Sequence, residues 1–133
     1  MKYINKKLSI EKVYLQNIVK KYGSPTYCYS YNQLKENINH FKKSFESFSP
    51  LICFAIKSNS NLNLIKEIRK CGLGADVVSM GELMMALKAG IKPKKIVFSG
   101  VGKTSEEISF AIDKKILLIN AESESEVKEI EKI

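Results

Sequence analysis

Arginine is nearly missing from this chain: Arg69 is the only one, although lysine and arginine together number 22 in 133 residues and the formal net charge is +8. The charge rests on lysines spread through every segment. Nucleic-acid readers favour arginine for bidentate contacts and gather their charge on one face, so this balance argues against such a partner. It fits solvated helix faces and some attraction for an anionic cofactor. His40, the only histidine, lies among polar neighbours beside Lys42 and Lys43 and is assigned to the surface. The 3 cysteines, Cys28, Cys53 and Cys71, are odd in number and form no CxxC pair, so neither a disulfide framework nor a metal site is indicated. No apolar stretch is long enough to span a bilayer, and Met1 to Lys7 has no apolar segment after its charges. The expectation is a cytoplasmic protein with no membrane contact. No low-complexity or Pro/Gly-rich tract signals disorder.

What is present is apolar patterning. Ile10, Val13, Tyr14, Ile18, Val19 and Tyr22 recur at helical spacing, Ser9 is a candidate N-cap, and Gly23 followed by Pro25 is a stop, which predicts a helix over 9–22. Thr26 to Tyr31 alternates like a half-buried strand. Leu34, Ile38, Phe41, Phe45 and Phe48 then mark one stripe of a helix and are expected in the core. After Pro50 the pattern repeats at intervals of about twenty residues. Apolar runs at 51–56, 75–78, 96–99 and 116–120 predict strands, and 62–70, 81–89, 105–114 and 124–133 predict helices. Gly72 and Gly90 are placed to close two of those helices. Thr104 with Glu107, and Ser123 with Glu126, fit the capping box that opens two others. Buried strands separated by helices argue for an α/β protein with a parallel sheet. The even spacing suits a closed barrel, and an open doubly wound sheet is the alternative.

The run Leu51-Ile52-Cys53-Phe54-Ala55-Ile56 leads straight into Lys57, followed by the small polar groups Ser58-Asn59-Ser60-Asn61. A continuous apolar run reads as a strand buried on both faces, with Cys53 as core. A lysine at its end, set against apolar walls, would have its ammonium form destabilised and its free amine available as a nucleophile, as Schiff-base chemistry requires. The bland alternative is a lysine that marks where the strand meets water. In either architecture the working groups lie beyond the C-terminal ends of the strands. That rule selects Lys57 and Asn59, then Ser79 to Glu82, Gly100 to Lys103, and Asn120 to Glu122.

Other motifs are weaker. Gly100-Val101-Gly102-Lys103-Thr104 has the end of a phosphate-binding loop, but the leading glycine of that motif would have to be Val97. Gly72-Leu73-Gly74 precedes a strand instead of following one and reads as a helix stop. Asp76 stands inside a predicted strand between Ala75 and Val77, where an unpaired carboxylate is costly, so it requires a partner. Glu82 opens a helix, where the dipole alone favours a negative charge. Met80, Met84 and Met85 read as packing.

Phe54-Ala55-Ile56-Lys57-Ser58-Asn59 resembles the Tyr-Ala-x-Lys-x-Asn motif of the pyridoxal-phosphate decarboxylases with an alanine-racemase-like barrel, with Phe54 where tyrosine is common. Gly74 to Leu83 and Lys95 to Thr104 resemble the diaminopimelate decarboxylases more closely than their ornithine- and arginine-cleaving relatives. The likeness runs from Tyr22-Gly23-Ser24-Pro25 to the C-terminus. It implies a partial (β/α)8 barrel of TIM type, with about four βα units after an N-terminal helix and strand. A full barrel takes roughly 250 residues and the family adds a β-domain, so the chain is expected to be an N-terminal fragment. The expected division is 1–31, associated with the β-domain, and 32–133, the first half of the cofactor-binding barrel.

The resemblance also implies roles. Lys57 would be catalytic and hold pyridoxal 5'-phosphate as a Schiff base. Asp76 would sit beside the cofactor near that nitrogen, with a carboxylate satisfied by backbone amides as the alternative. Glu82 would approach the lysine and cofactor, with a helix-opening role as its alternative. The implied reaction converts meso-diaminopimelate to lysine and carbon dioxide, the last step of lysine biosynthesis, in a homodimer. The family's ring-stacking histidine, phosphate loop, ring-nitrogen glutamate and cross-dimer cysteine and tyrosine would lie beyond Ile133. Alternatives are a related ornithine, arginine or carboxynorspermidine decarboxylase, and a non-catalytic pyridoxal-phosphate-binding regulator.

Overall fold

A computed structural model describes all residues, 1–133, and the chain divides into two compact units, Met1–Phe48 and Ser49–Ile133. The first unit opens with a three-stranded antiparallel sheet of order β1-β2-β3, formed by Lys2–Ile4, Lys7–Ile10 and Val13–Tyr14. Asn5 and Lys6 make the two-residue turn between the first pair with φ of 48° and 60°. That is the left-handed pairing that suits a tight hairpin. Here the structure corrects the sequence expectation: the helix does not begin at Ser9. The hairpin turn supplies residues 7–10 with strand partners, Lys2 opposite Ser9 and Ile4 opposite Lys7. Ser9 is fully buried and its hydroxyl donates to Lys7 O at 3.1 Å, so it caps nothing. The helix α1 is only Leu15–Tyr22, ended by Gly23 with its N–H on Val19 O at 2.8 Å.

No strand forms over 26–31 either. The segment is anchored at its end by the Glu11 carboxylate, which accepts from Asn32 N at 2.7 Å and from Ser30 Oγ at 2.8 Å. Helix α2, Tyr31–Ser44, follows with Ser30 as N-cap. Its aromatic stripe is not core in this chain: Ile38 is buried, whereas Phe41 and Phe45 pack on each other at 5.0 Å and stay largely exposed, and Phe48 is 78% exposed. The expectation of core failed because helical periodicity identifies a face and not what covers it.

The second unit is the regular part. Four parallel strands, β4 (Cys53–Ala55), β5 (Gly74–Val77), β6 (Ile96–Phe98) and β7 (Leu118–Ile119), pair in sequence order. Each is followed by a helix: α3 (Leu62–Lys70), α4 (Met80–Lys88), α5 (Ser105–Asp113) and α6 (Glu124–Lys132). The elements lie within a few residues of their expected bounds, with the strands shorter. Gly72 and Gly90, at φ of 84° and 85°, end α3 and α4. Leu73 N donates to Ile68 O and Ile91 N to Ala86 O, the outer bonds of a Schellman motif. An open doubly wound sheet reverses its strand order at a switch point. This one advances without reversal, and its helices pack each against the next, as in the first part of a (β/α)8 barrel.

Register divides the sheet into two faces. Ala75, Val77, Ile96 and Phe98 point into the helices and are fully buried with Ile65, Leu83, Ala86 and Ala111. Opposite them Ala55, Asp76, Val97 and Leu118 form one layer across four strands, Ala55 paired with Asp76, Asp76 with Val97 and Val97 with Leu118. This inner face is incompletely covered, and Leu118 is 50% exposed.

Candidate functional site

The inner face carries its polar groups at the C-terminal strand ends. Past Ala55 the chain leaves β4 in a single 3-10 turn, Ile56–Ser58. Ile56 is fully buried and pins the turn, and Ser58 Oγ donates to Ala55 O at 2.7 Å. Asn59 Oδ1 accepts from Asn61 N at 3.0 Å, and Asn61 caps α3. Ser58, Asn59 and Asn61 thus build the turn that presents Lys57. The Lys57 side chain is exposed, with no hydrogen bond or ion pair. The expected strand end against apolar walls is corrected to a turn open to solvent.

Asp76 lies in mid-β5, half-buried, and its expected partner is Ser99, whose hydroxyl donates to Oδ1 at 2.5 Å. Ser99 in turn accepts from Asn120 Nδ2 at 3.0 Å. Asp76 lies within β5, and Ser99 and Asn120 directly follow β6 and β7, held by Ser99 N on Val77 O at 2.8 Å and Asn120 N on Phe98 O at 2.9 Å. In the sequence Asn120 stands out only as a strand-end residue, and Ser99 only as the last position of the 96–99 run. The signal that finds them is the repeat: they follow Asp76 at separations of 23 and then 21 residues.

The following helices begin with a common device. Glu82 N–H donates to Ser79 Oγ at 3.3 Å, and the Glu82 carboxylate turns back to accept from Val78 N at 2.9 Å. That places Glu82 as a helix-opening brace at the rim. Glu107 completes the capping box with Thr104 and reaches across to Met80 N at 2.9 Å, tying α5 to the start of α4. The Met80 and Thr104 amides hold its carboxyl below the ordinary glutamate value. Glu126 fulfils half of its expected box: Ser123 Oγ caps its N–H, but its carboxylate goes to Glu122 N at 2.8 Å and to Lys103 Nζ at 3.0 Å. Burial pushes this carboxyl up, but the Glu122 amide and Lys103 outweigh it and the net direction is down. Lys103, with its side chain 1% exposed, also donates to Asn120 O at 2.7 Å. It is therefore a structural cation and not a phosphate-loop lysine. Gly100 lies so close to the Val78 backbone that a Cβ there would collide with it. The Cys53 thiol, raised by burial and then by Asp76, lies beside Gly74 on the inner face. His40 is exposed, as expected.

Residues 31–133 match the pyridoxal binding domain of the pyridoxal-dependent decarboxylases. Over its whole length the chain is 43% identical to the diaminopimelate decarboxylase of Aquifex aeolicus, of which it covers 31%. The crystal structure of the diaminopimelate decarboxylase from Helicobacter pylori complexed with L-lysine aligns over 89% of this chain and 30% of that one, at 42% identity and a TM-score of 0.85. The M. jannaschii diaminopimelate decarboxylase in co-complex with L-lysine aligns over 96% of this chain and 31% of that one, at 34% identity and a TM-score of 0.93. The chain therefore spans about a third of the length of the relatives it matches.

Proposed function

The chain belongs to the pyridoxal-dependent decarboxylases, and from that premise we propose that it forms the first part of an enzyme converting meso-diaminopimelate to lysine and carbon dioxide. The observation that carries this reading is the placement of Lys57 on a turn just past Ala55, in register with Asp76. Paired strands lie roughly 4.8 Å apart, so the amine and the carboxylate belong to neighbouring strand ends at the face where such barrels work.

These residues fit the cofactor. The unpaired Lys57 amine is the nucleophile an aldehyde requires, so Lys57 would hold pyridoxal 5'-phosphate, with Asp76 beside the nitrogen. When bound, that cofactor supplies the electron sink for loss of a carboxylate. Asp76 stabilises positive charge on the Lys57 nitrogen. Lys57 Nζ would be the group that delivers the proton replacing the carboxylate. Glu82, which braces the start of α4 through Val78 N, would approach the cofactor from that helix end. The desolvation that Lys57 lacks in this chain would come from the remaining barrel.

The diaminopimelate branch is favoured because relatives at 34% and 42% identity were solved with L-lysine, the product of this reaction. An ornithine, arginine or carboxynorspermidine decarboxylase is the second reading. We assign 32–133 to the cofactor barrel, supported by the family match from residue 31, and 1–31 to association with a β-domain. The working form is a homodimer acting on a small amino acid in the cytoplasm. No helix is long and apolar enough to cross a membrane. The test uses the full-length protein loaded with pyridoxal phosphate, reduced with borohydride and mapped by peptide mass, beside carbon dioxide release from meso-diaminopimelate, ornithine and arginine. Label on Lys57 and preference for diaminopimelate are expected. Label on another lysine overturns the site, and preference for ornithine overturns the branch.

A further inference from the structure

Asp76 is flanked on its two sides by different groups. On the β6 side Ser99 Oγ binds its Oδ1, while Oδ2 takes no hydrogen bond. On the β4 side lies the strand that leads to Lys57. The order of donors along the row is forced by chemistry. A carboxylate only accepts, so the single Ser99 hydroxyl proton goes to Asp76, and Asn120 must offer its amide Nδ2 to the Ser99 oxygen. Asn120 is itself immobilised. Its N–H is bound to Phe98 O, and its carbonyl accepts from Lys103, whose ammonium is buried against Glu126. Three adjacent strands and a buried ion pair thus converge on one carboxylate oxygen.

We propose that Ser99 and Asn120 are positioning residues that hold the Asp76 carboxylate with its free oxygen available to the Lys57 nitrogen and the cofactor it carries. This rests on the role proposed above for Asp76. Without the hydroxyl, the carboxylate could rotate about its side-chain bonds into solvent. Without the Asn120 amide, the hydroxyl proton has no enforced direction. The two residues act only through Asp76, and that distinguishes them from groups that merely support the fold.

The experiment is a double-mutant cycle in the full-length protein, read as the affinity of the apo form for pyridoxal phosphate by absorbance titration, with kcat and KM measured separately and thermal melts as a folding control. Asp76→Asn should weaken cofactor affinity strongly. Ser99→Ala should weaken it about tenfold, the scale of one hydrogen bond to a charged group, and lower kcat more than it raises KM. Added to Asp76→Asn, Ser99→Ala should cost nothing further, because its partner is already neutral. Ser99→Thr, which keeps the hydroxyl, should restore affinity. Asn120→Ala run through the same cycle should behave alike with a smaller effect, and it keeps the test decisive if Ser99→Ala does not fold. Equal losses on the wild-type and Asp76→Asn backgrounds would overturn the proposal, as would Ser99→Ala without effect where Asp76→Asn has one. Asp76→Asn without effect would instead overturn the role of Asp76 itself, and the proposal with it.

Discussion

At the scale of single residues, the carboxylates at the strand-end rim gain their importance from where their oxygens reach. Glu107 stands at the third position of α5, yet one of its oxygens is bonded to Met80 N on the preceding βα unit. Those amides lower its folded pKa from an ordinary 4.5, so the unfolded chain binds its proton more readily. The stabilisation is therefore complete above pH 4.5 and is lost as the pH falls through the lower, folded value. Thermal melts of the full-length protein and of Glu107→Gln are expected to differ at pH 7 and to converge on acidification. A constant gap across that window would show that the charge of Glu107 contributes nothing. Ser99 and Asn120, by contrast, have no role visible in the sequence, because their value depends on the strand that stands beside them.

At the scale of elements, each helix of the second unit is opened by a side-chain cap, Asn61, Ser79, Thr104 or Ser123. Each such cap is worth about 1 kcal/mol against alanine. The link between β6 and the start of α6 is of another kind. Lys103 and Glu126 are buried together, at 1% and 8% side-chain exposure, and each is satisfied by backbone groups as well. Removing one partner strands the other charge, so Lys103→Met should destabilise the full-length protein by about 3–5 kcal/mol. The joint replacement Lys103→Met with Glu126→Leu should recover part of that loss. Denaturant unfolding of the single and double variants measures both. A single variant costing less than about 1 kcal/mol would mean that the pair contributes no more than an exposed one.

At the scale of the whole molecule, the parallel sheet has two edge strands, β4 and β7, each with one side unpaired, and its inner face leaves Leu118 half exposed. Open strand edges beside apolar surface invite association. The exposed Phe41, Phe45 and Phe48 add a second apolar surface on the first unit. Expressed alone, residues 1–133 should therefore form polydisperse aggregates with no cooperative melt and release no carbon dioxide from diaminopimelate. Light scattering, calorimetry and a carbon dioxide assay check this. A monodisperse, cooperatively folding product would show that the uncovered faces are tolerated.

The sequence by itself determined the βα repeat, the caps Thr104 and Ser123 and the position of Lys57 just past the first parallel strand, because these depend on neighbours a few residues away. Apolar period, N-cap chemistry and C′ glycines are local, and α3 was placed at Leu62–Lys70, as the structure has it. It misjudged the start of the chain, where Ile10, Val13 and Tyr14 satisfy a helical period but the Asn5-Lys6 turn commits residues 7–10 to a hairpin. Only the tertiary structure decided what Asp76 touches, why Lys103 is buried and that Glu107, besides closing its own capping box, reaches Met80 N. Those contacts join residues more than twenty positions apart, brought together by the parallel register of strands that carry no mark of their pairing in sequence.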